Sequence, residues 1–461
     1  MTEKSFIFME NSETYNVPLL PIDQKVQERH KDMRKTKWRY VILALVCYLK
    51  MCSYYITNNP GSIYQEIVQN FGISNVQFGL LYSVYNLPNI VISLLIGLLI
   101  DRIGIRVSTI IFTIGNLVGQ IIFTYATFIQ NYQIALIGRF LLGSCTESSS
   151  LCFIIILNIW FEGKELGFAF AVLITVAKGG ISLTNFITPQ IYVITQSLPA
   201  CLAGGIIICT VASALSFLFS NIDSKNEKNL KRNEEIDRLQ RNEQHVLAEE
   251  THSWISSTLF KQLGIKFWMF ALVNFLTYFT QAPFQQNQSQ FLRSRFSFEI
   301  VEAGQIQGIL ALVMTVFCPI TGLISDRVNE RIGALALANF LYMVSQTFMG
   351  LMPDCYKCSL IILPLSIYEV SMGIFISNVW AALNEIIPKR ILGFSVGFIN
   401  SAQNIALAFG PLAIGRVLDG SRDLKTGFKI VNFILLGINT ITFFILFIWL
   451  IKQIKARRSS Q

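Results

Sequence analysis

The stretch that decides the fold reads RFLLGSCTESSSLCFIIILNIWFEGKELGFAFAVLITVAKGG and runs from Arg139 to Gly180. It consists of two long apolar segments connected by a short charged turn at residues 161–166. Glu147 interrupts the first segment, and Lys178 interrupts the second. If each segment crosses a bilayer as a helix, both charges lie roughly 15–20 Å deep, near the midplane. Charges at that depth are costly and usually face an interior cavity, so this pair is expected to hold the two ends of a zwitterion.

Composition places the whole chain in a membrane. Its 461 residues are 52% hydrophobic and only 14% charged, whereas soluble proteins carry about 25% charged residues. The net charge of +9 does not indicate nucleic-acid binding, because the basic residues cluster at the ends of apolar segments, where they set topology. We therefore predict a polytopic all-α membrane protein that contacts membrane lipids and no nucleic acid.

The sequence predicts no metal centre, cofactor site or catalytic site. Its three histidines, His30, His245 and His252, lie outside the apolar segments, so a histidine-based site within the membrane is not expected. Seven of the nine cysteines lie inside apolar runs and are interpreted as packing residues. Cys355 and Cys358, in a predicted outer loop, are candidates for a structural disulfide. The protein is not expected to be an enzyme.

Twelve apolar segments predict twelve transmembrane helices in two six-helix bundles. The bundles cover residues 38–220 and 264–451, and tails at 1–37 and 452–461 complete the chain. The charged linker between the bundles, 221–263, is expected to be an amphipathic helix or a disordered segment on the membrane face. The predicted spans are Tyr40–Thr57, Gln77–Ile100, Val107–Phe128, Gln133–Ile159, Gly167–Ile191, Ala200–Ser220, Lys266–Phe291, Ala303–Ile324, Ile332–Met352, Ser359–Ile387, Leu392–Val417 and Phe428–Ile451.

The distribution of Lys and Arg predicts the orientation of these spans. Basic residues are concentrated in the two tails, in the linker and in the loops on the same side, whereas the opposite side carries few. By the positive-inside rule, both termini and the linker face the cytosol.

A short motif recurs at the cytosolic ends of the second and eighth predicted spans. GLLIDRIGIR occupies residues 97–106, and GLISDRVNER occupies residues 322–331. Each copy supplies a small residue for close helix contact, followed by an acid and a base. The repeat supports the division into halves. The residues expected to form this gating or structural motif are Gly97, Asp101, Arg102, Arg106, Asp326 and Arg327.

The repeated Gly-x-x-x-Asp-Arg turn resembles the signature of the major facilitator superfamily. That resemblance implies two six-helix bundles around a central cavity, which rock between inward-open and outward-open states. It also implies that Asp101, and in the second half Asp326, helps to hold the outward-open state. Ile105 and Asn329 depart from the family pattern. The alternative interpretation is a surface ion pair that contributes little stability.

Further motifs resemble the lysosomal dipeptide uniporters within that superfamily. The resemblance implies that Glu147 binds the amino group of a dipeptide and that Lys178, where the family has arginine, binds its carboxylate. Lysine keeps the charge but loses the bidentate geometry of arginine, so altered substrate choice or affinity is expected. The motifs are Ser53-Tyr54-Tyr55, Asn59-Pro60, Leu81-Tyr82, Pro88-Asn89, Gly138-Arg139-Phe140, Glu147-Ser148, residues 160–166 and Gln403-Asn404.

The same resemblance implies where the protein acts and with what. It implies a lysosomal or vacuolar membrane, with the plasma membrane as the alternative. It also implies a glycosylated accessory membrane subunit, because a bare transporter would be exposed to lumenal proteases.

Two further charges within predicted spans have alternative interpretations. Lys50 lies well inside the first span. It either pairs with Glu147, which would make Glu147 structural, or provides a second anchor for a substrate anion. Glu369 lies near mid-depth in the tenth span and is either a proton site or a hydrogen-bonded packing residue.

Aromatic and amide side chains complete the expected binding site. Tyr and Trp can stack on peptide side chains while donating a hydrogen bond, and Asn can pair with a peptide amide. The substrate contacts that we predict are Tyr55, Asn86, Trp380 and Asn404. For each of them the alternative is packing between helices.

Together these features predict a uniporter that exports dipeptides from the lysosome to the cytosol by alternating access. A first alternative is a proton-coupled carrier of organic anions or other metabolites, with Lys50 and Lys178 as anion anchors and Glu369 or Glu147 as the proton site. A second is a non-transporting membrane sensor or scaffold, whose cavity charges would pair with each other.

Overall fold

The computed structural model describes residues 32–161, 165–241, 263–328, 330–387 and 392–459. In these ranges the chain forms fifteen α-helices and no β-strand. Most of the N-terminal tail (1–37) and the second part of the linker (221–263) lie outside the described residues, as does the side chain of Asp326.

The first half contains eight helices, preceded by a 3₁₀ turn. The turn is Met33–Lys35, and the helices are α1 (Trp38–Ser62), α2 (Tyr64–Phe71), α3 (Asn75–Asn86), α4 (Asn89–Ile103), α5 (Ile105–Phe128), α6 (Tyr132–Trp160), α7 (Leu166–Thr195) and α8 (Leu198–Arg241). The last of these continues past the predicted end of the sixth span, so the linker begins as a helix.

The second half contains seven helices. They are α9 (Ile265–Gln286), α10 (Gln288–Phe296), α11 (Ile300–Val328), α12 (Arg331–Leu351), α13 (Ile362–Ile386), α14 (Leu392–Asp419) and α15 (Leu424–Ser459). Between α12 and α13, Cys355 and Cys358 form a disulfide with their Cα atoms 5.8 Å apart. This is the pair that the sequence indicated.

Nine of the described helices are long and apolar enough to cross a membrane. The segments Asn75–Ser93 and Leu95–Ile103 make a tenth candidate, which is bent by 70°. Two other long helices, α9 and α14, carry several amide side chains and are not among the nine. The total of twelve spans stays a prediction.

Local signals set the positions of the two helices that carry the mid-depth charges. The side chain of Asn131 accepts hydrogen bonds from two backbone N–H groups of the first turn of α6, so the helix begins at Tyr132. Because α6 has 29 residues, Glu147 lies near its middle. Lys178 lies near the middle of α7, which has 30 residues.

Buried apolar side chains form one large cluster in the first half and two clusters in the second. The halves meet where α3 packs on α14 and α7 packs on α11. Large apolar side chains such as Ile194 and Leu351 remain exposed on the outside, as expected for helices that face lipid.

At one end of the molecule, polar contacts join the two halves. Asp419 accepts hydrogen bonds from the backbone N–H groups of Asn75 and Val76, each at 2.9 Å. Arg293 donates to both carboxylate oxygens of Glu66, at 2.8 and 3.0 Å. We call this end, with residues 62–76, 287–296, 349–358 and 419–429, the closed end.

The opposite end lacks such contacts around the first copy of the repeated motif. Residues 97–106 make no hydrogen bond or ion pair with the second half within the ranges that the structure describes. Asp101 and Arg102 are exposed there. We call this the open end. That this end faces the cytosol, as the positive-inside rule predicts, stays a prediction.

Candidate functional site

A cavity of about 420 Å³ lies between the two halves. It is lined by α1, α3, α6 and α7 from the first half and by α9, α13 and α14 from the second. Both mid-depth charges of the opening stretch, Glu147 and Lys178, line it. Its size matches that of ordinary small-molecule sites.

Glu147 is half-buried in the cavity wall and has no hydrogen-bond or ion-pair partner among the described residues. One turn earlier, Gly143 lets α6 approach α3 closely, since a Cβ there would overlap the backbone carbonyl of Tyr85. Asn89 donates to the carbonyls of both Gly143 and Tyr85, which fixes this crossing. The carboxylate is therefore held in position by its helix rather than by a partner.

Lys178 is buried, with 6% of its surface exposed. Its Nζ lies 5.0 Å from the ring centroid of Tyr54, within the range of a cation–π contact. No carboxylate of a described residue lies within ion-pair distance of Nζ. Gly180 allows α7 to approach α1, because a Cβ there would collide with the carbonyl of Met51. Close packing of α7 on α1 thus places the ammonium beside Tyr54.

Lys50 lines the same cavity. Its Nζ donates a hydrogen bond to the hydroxyl of Ser150 and lies 5.3 Å from the ring centroid of Tyr54. The structure shows no ion pair between Lys50 and Glu147, although the two charges are close enough to interact electrostatically. The arrangement in which Lys50 neutralises Glu147 is therefore not the one observed.

Of the two neighbouring tyrosines Tyr54 and Tyr55, Tyr54 is the one that the structure places in the cavity wall. Tyr54 lines the cavity and lies under both ammonium groups. Tyr55 is 1% exposed, and its hydroxyl lies 3.4 Å from that of Thr188, on the side of α1 away from the cavity. The two tyrosines are about 100° apart on the helix, and the aromatic pair in the sequence does not reveal which one faces inward.

The structure places some, but not all, of the expected amide and tryptophan side chains in the cavity wall. Asn86 and Trp380 line the cavity. Asn404 does not, because its side chain donates to the carbonyl of Asn400 and to the hydroxyl of Ser93. Its neighbour Gln403 lines the cavity instead. Asn404 therefore helps to join the two halves rather than contact a ligand.

Further aromatic and polar residues complete the cavity wall. Tyr85 contacts the hydroxyl of Thr57 at 2.8 Å, and its ring lies 4.6 Å from the buried guanidinium of Arg139. Tyr278 and Gln285 enter from α9. Together they extend the aromatic and polar lining of the cavity across both halves of the protein.

Glu369 lies beside the main cavity rather than in it. It is 1% exposed and borders a small polar space of about 10 Å³, enough for about one water molecule. Among the described residues its Oε2 has no hydrogen-bond partner, and the same holds for Gln307 Nε2, which borders the same space. Lys178 is the cation whose charge acts on Glu369. The side chain of Gln285 forms a hydrogen bond with Glu369, so the carboxyl group is satisfied in part, and the proton-site and packing interpretations both stay predictions.

The residues expected to form the repeated motif differ in how the structure places them. Arg106 forms ion pairs with Asp223 and Glu227 on the extension of α8, so it docks the start of the linker and is not available to the second half. Burial raises the pKa of Asp223, against the lowering effect of its hydrogen bond from Trp160 and the charge of Arg106. A Cβ at Gly97 would meet no neighbour, so the expected close helix contact at this glycine is absent in this arrangement. Arg327 is exposed.

The described residues contain no group of three or more His, Cys, Asp or Glu side chains that could hold a metal ion. The cavity therefore offers charge pairing, aromatic stacking and amide hydrogen bonds. These are means of binding a small charged molecule.

Comparison with known proteins gives a consistent family. A family model described as Major Facilitator Superfamily matches residues 46–411. The lysosomal dipeptide transporter MFSD1 of Danio rerio is 27% identical over 386 residues, which cover 83% of this chain and 81% of that protein. The Homo sapiens protein of the same name is 25% identical, covering 84% and 82%. The probable sulfoacetate transporter SauU of Cupriavidus necator is 20% identical, covering 85% and 90%.

Solved structures share the fold. The nucleoside transporter NupG superimposes with a TM-score of 0.67 at 13% identity, covering 89% of this chain and 98% of that one. A bacterial homolog of the human lysosomal transporter Spinster, in an inward-facing and unoccupied conformation, gives a TM-score of 0.68 at 12% identity, covering 91% and 98%. At such identities the similarity concerns the fold alone.

Proposed function

This chain belongs to the major facilitator superfamily of membrane transporters, and on that premise we propose that its solute is a dipeptide. Glu147 would bind the α-ammonium group and Lys178 the terminal carboxylate. Transport would be downhill, from the lysosomal lumen to the cytosol. The relatives named lysosomal dipeptide transporter, at 25–27% identity, support this assignment.

One observation carries the proposal. A carboxylate and an ammonium, on the successive helices α6 and α7, line one cavity, and neither has an ionic partner among the described residues. Removing charges from water without pairing them is costly. A zwitterionic ligand supplies both missing partners at once, since a dipeptide carries an ammonium at one end and a carboxylate at the other.

The two ends of the molecule support alternating access. Contacts of Asp419 and Glu66 join the two halves at the closed end, whereas residues 97–106 at the open end have no such contact to the described residues of the second half. With twelve spans and both termini in the cytosol, the cavity would face the cytosol in this state. Opening the closed end would expose it to the lumen instead.

The location and partners follow from the same relatives. A lysosomal membrane fits the names of the curated relatives. The disulfide Cys355–Cys358 would lie on the lumenal side, where oxidising conditions preserve such bonds. A glycosylated accessory subunit would protect the lumenal loops, and lipids would surround the apolar outer faces.

The test is binding by purified protein, measured as a thermal shift with dipeptides, free amino acids, sugars and simple carboxylates at acidic and neutral pH. Dipeptides should stabilise the protein saturably, and Glu147→Gln and Lys178→Ala should each abolish that effect. Glu299→Gln and Lys452→Ala change the same charges at exposed positions and should leave it intact. Stabilisation by carboxylates alone, retained in Glu147→Gln, would refute the dipeptide assignment.

A second candidate is a proton-coupled carrier of organic anions. It is favoured by the two lysines in one cavity and by Glu369 Oε2 next to it, which has no hydrogen-bond partner among the described residues. Uptake of a simple carboxylate driven by a proton gradient, and lost in Glu369→Gln, would support it. A scaffold without transport is less compatible, because its cavity charges were expected to pair with each other.

A further inference from the structure

The cavity holds one more cation than a zwitterionic dipeptide needs. Among the residues that the structure describes, three charged side chains line it: Lys50, Glu147 and Lys178. A dipeptide with uncharged side chains offers one ammonium and one carboxylate. If these bind Glu147 and Lys178, the ammonium of Lys50 remains without an anion.

Lys50 is not satisfied by the protein around it. Of its three N–H donors, one is used by the hydroxyl of Ser150. That hydroxyl donates onward to the carbonyl of Thr146, at 2.8 Å, so Ser150 orients the ammonium without neutralising it. No carboxylate lies within ion-pair distance of Lys50 among the residues that the structure describes.

From this excess we infer that the site prefers dipeptides with an acidic side chain and that Lys50 holds the side-chain carboxylate. The inference rests on the proposed dipeptide function and names the substrate class of that same site. A ligand with one ammonium and two carboxylates matches the three lining charges one to one, whereas a basic dipeptide would place a second cation against two lysines.

The geometry allows one ligand to reach all three charges. Lys50 and Lys178 lie 5.3 and 5.0 Å from the centroid of the same Tyr54 ring, so both anion anchors share one wall of the cavity. Glu147 is on α6, one turn before Ser150, the residue that positions Lys50. The backbone of an extended dipeptide spans about 7 Å. A C-terminal acidic residue would present its two carboxylates toward the two lysines.

Glu369 does not supply the missing anion for Lys50. It borders the small polar space outside the main cavity, and the cation acting on it is Lys178. Replacing it with glutamine keeps the shape of the side chain and removes any competition for Lys178. The preference for acidic dipeptides should therefore persist in Glu369→Gln.

The experiment compares alanyl-glutamate with alanyl-glutamine, which differ in one carboxylate and have nearly the same shape. Affinities are measured by titration of the purified protein. The wild type should bind alanyl-glutamate about tenfold or more tightly than alanyl-glutamine. In Lys50→Met this ratio should fall to about one, because alanyl-glutamate loses its third contact while alanyl-glutamine still binds through Glu147 and Lys178.

Three outcomes would overturn the inference. Equal affinities in the wild type would show that the extra cation does not select the ligand. A ratio that survives in Lys50→Met would assign the preference to another residue. In both cases dipeptide binding stands. If neither dipeptide binds the wild type, the proposed function falls, and the inference falls with it. Retained binding of alanyl-glutamine in Lys50→Met shows that the variant is folded.

Discussion

The closed end and the cavity contain the same kinds of charged side chain in opposite situations. At the closed end, Arg293 binds Glu66, and Asp354 binds both Arg295 and Lys429. In the cavity, Glu147 and Lys178 have no ionic partner among the described residues. Charged side chains therefore stabilise the structure at the closed end and remain available to a ligand in the cavity.

The difference teaches how to separate structural from functional charges. A paired buried charge is costly to disrupt, because its removal strands the partner. An unpaired one is costly to keep, so its retention points to a ligand. Substitutions at the closed end should therefore reduce stability and spare binding, and substitutions in the cavity should do the reverse.

The largest effect on stability is expected for Arg295→Met. This guanidinium is 1% exposed and donates to Asp354 at 2.7 Å and to the carbonyls of Met349 and Met352 at 2.6 Å each. Removing it should lower the free energy of unfolding by about 3–5 kcal/mol. Thermal unfolding in detergent measures the loss. Arg422→Met, at an exposed position of the same end, is the control, and equal unfolding temperatures for the two variants would contradict the assignment.

Lys178→Met should have the opposite effect on the free energy of unfolding when no ligand is present. Replacing an unpaired buried ammonium by an apolar chain of similar length should raise the free energy of unfolding by about 1–3 kcal/mol. With dipeptide at about a hundred times its dissociation constant, the wild type gains about 2.7 kcal/mol, and the variant gains nothing. Thermal unfolding with and without dipeptide tests both statements. A variant that is destabilised without ligand would mean that Lys178 has a structural role.

A smaller effect is expected where the two halves are tied together. The side chains of Glu66 and Arg293 are 7% and 17% exposed, so their contact should exceed a surface ion pair and contribute about 1–2 kcal/mol to closure. Arg293→Gln should speed the labelling of Asn58→Cys, in the cavity wall, by an impermeant thiol reagent on the lumenal side, by about tenfold. The charge-swapped pair Glu66→Arg with Arg293→Glu should restore slow labelling. Unchanged labelling in Arg293→Gln would show that this contact does not hold the gate.

The depth of the site in the membrane was predictable from the sequence. Which side chains of each helix point into the cavity was not. Glu147 and Lys178 could be placed near mid-depth because each interrupts a long apolar run, and run length fixes depth. Tyr54 lines the cavity and Tyr55 does not, because helix rotation depends on packing between helices, and a shift by one residue turns a side chain by about 100°. Helix rotation also explains why Gln403 lines the cavity and its neighbour Asn404 does not.

Partners distant in the sequence were also beyond prediction. The acid–base motif at 97–106 was expected to act in gating, but Arg106 binds Asp223 and Glu227, which lie past the sixth predicted span. A helix in the linker was one of the two expectations, but no local pattern shows that it continues α8 without a break and meets Arg106. The lack of an ion pair between Lys50 and Glu147 likewise depends on how α1 and α6 cross, and a single sequence does not encode that crossing in any local pattern.

The smallest expected effect is the response of the closed end to acid. Burial alone would raise the pKa of Asp354, but hydrogen bonds from Lys429 and Arg295 outweigh it and hold the pKa below its ordinary 3.8. A carboxyl group with a lowered pKa contributes its stability above the unfolded value and loses it as the pH falls through the folded value. The contribution of Asp354 should therefore be constant between about pH 5 and pH 8 and be lost only below about pH 4.

Asp354→Asn makes this expectation measurable, because it removes the titrating group and keeps its shape. The difference in unfolding temperature between the wild type and Asp354→Asn should be flat from neutral pH to the pH of an acidic lumen. It should shrink only at lower pH, where the wild-type carboxylate becomes protonated. A difference that already falls between about pH 7 and pH 5 would mean that the ion pairs of the closed end titrate in the lumen. The closed end and the cavity would then differ in their response to pH as well as in the pairing of their charges.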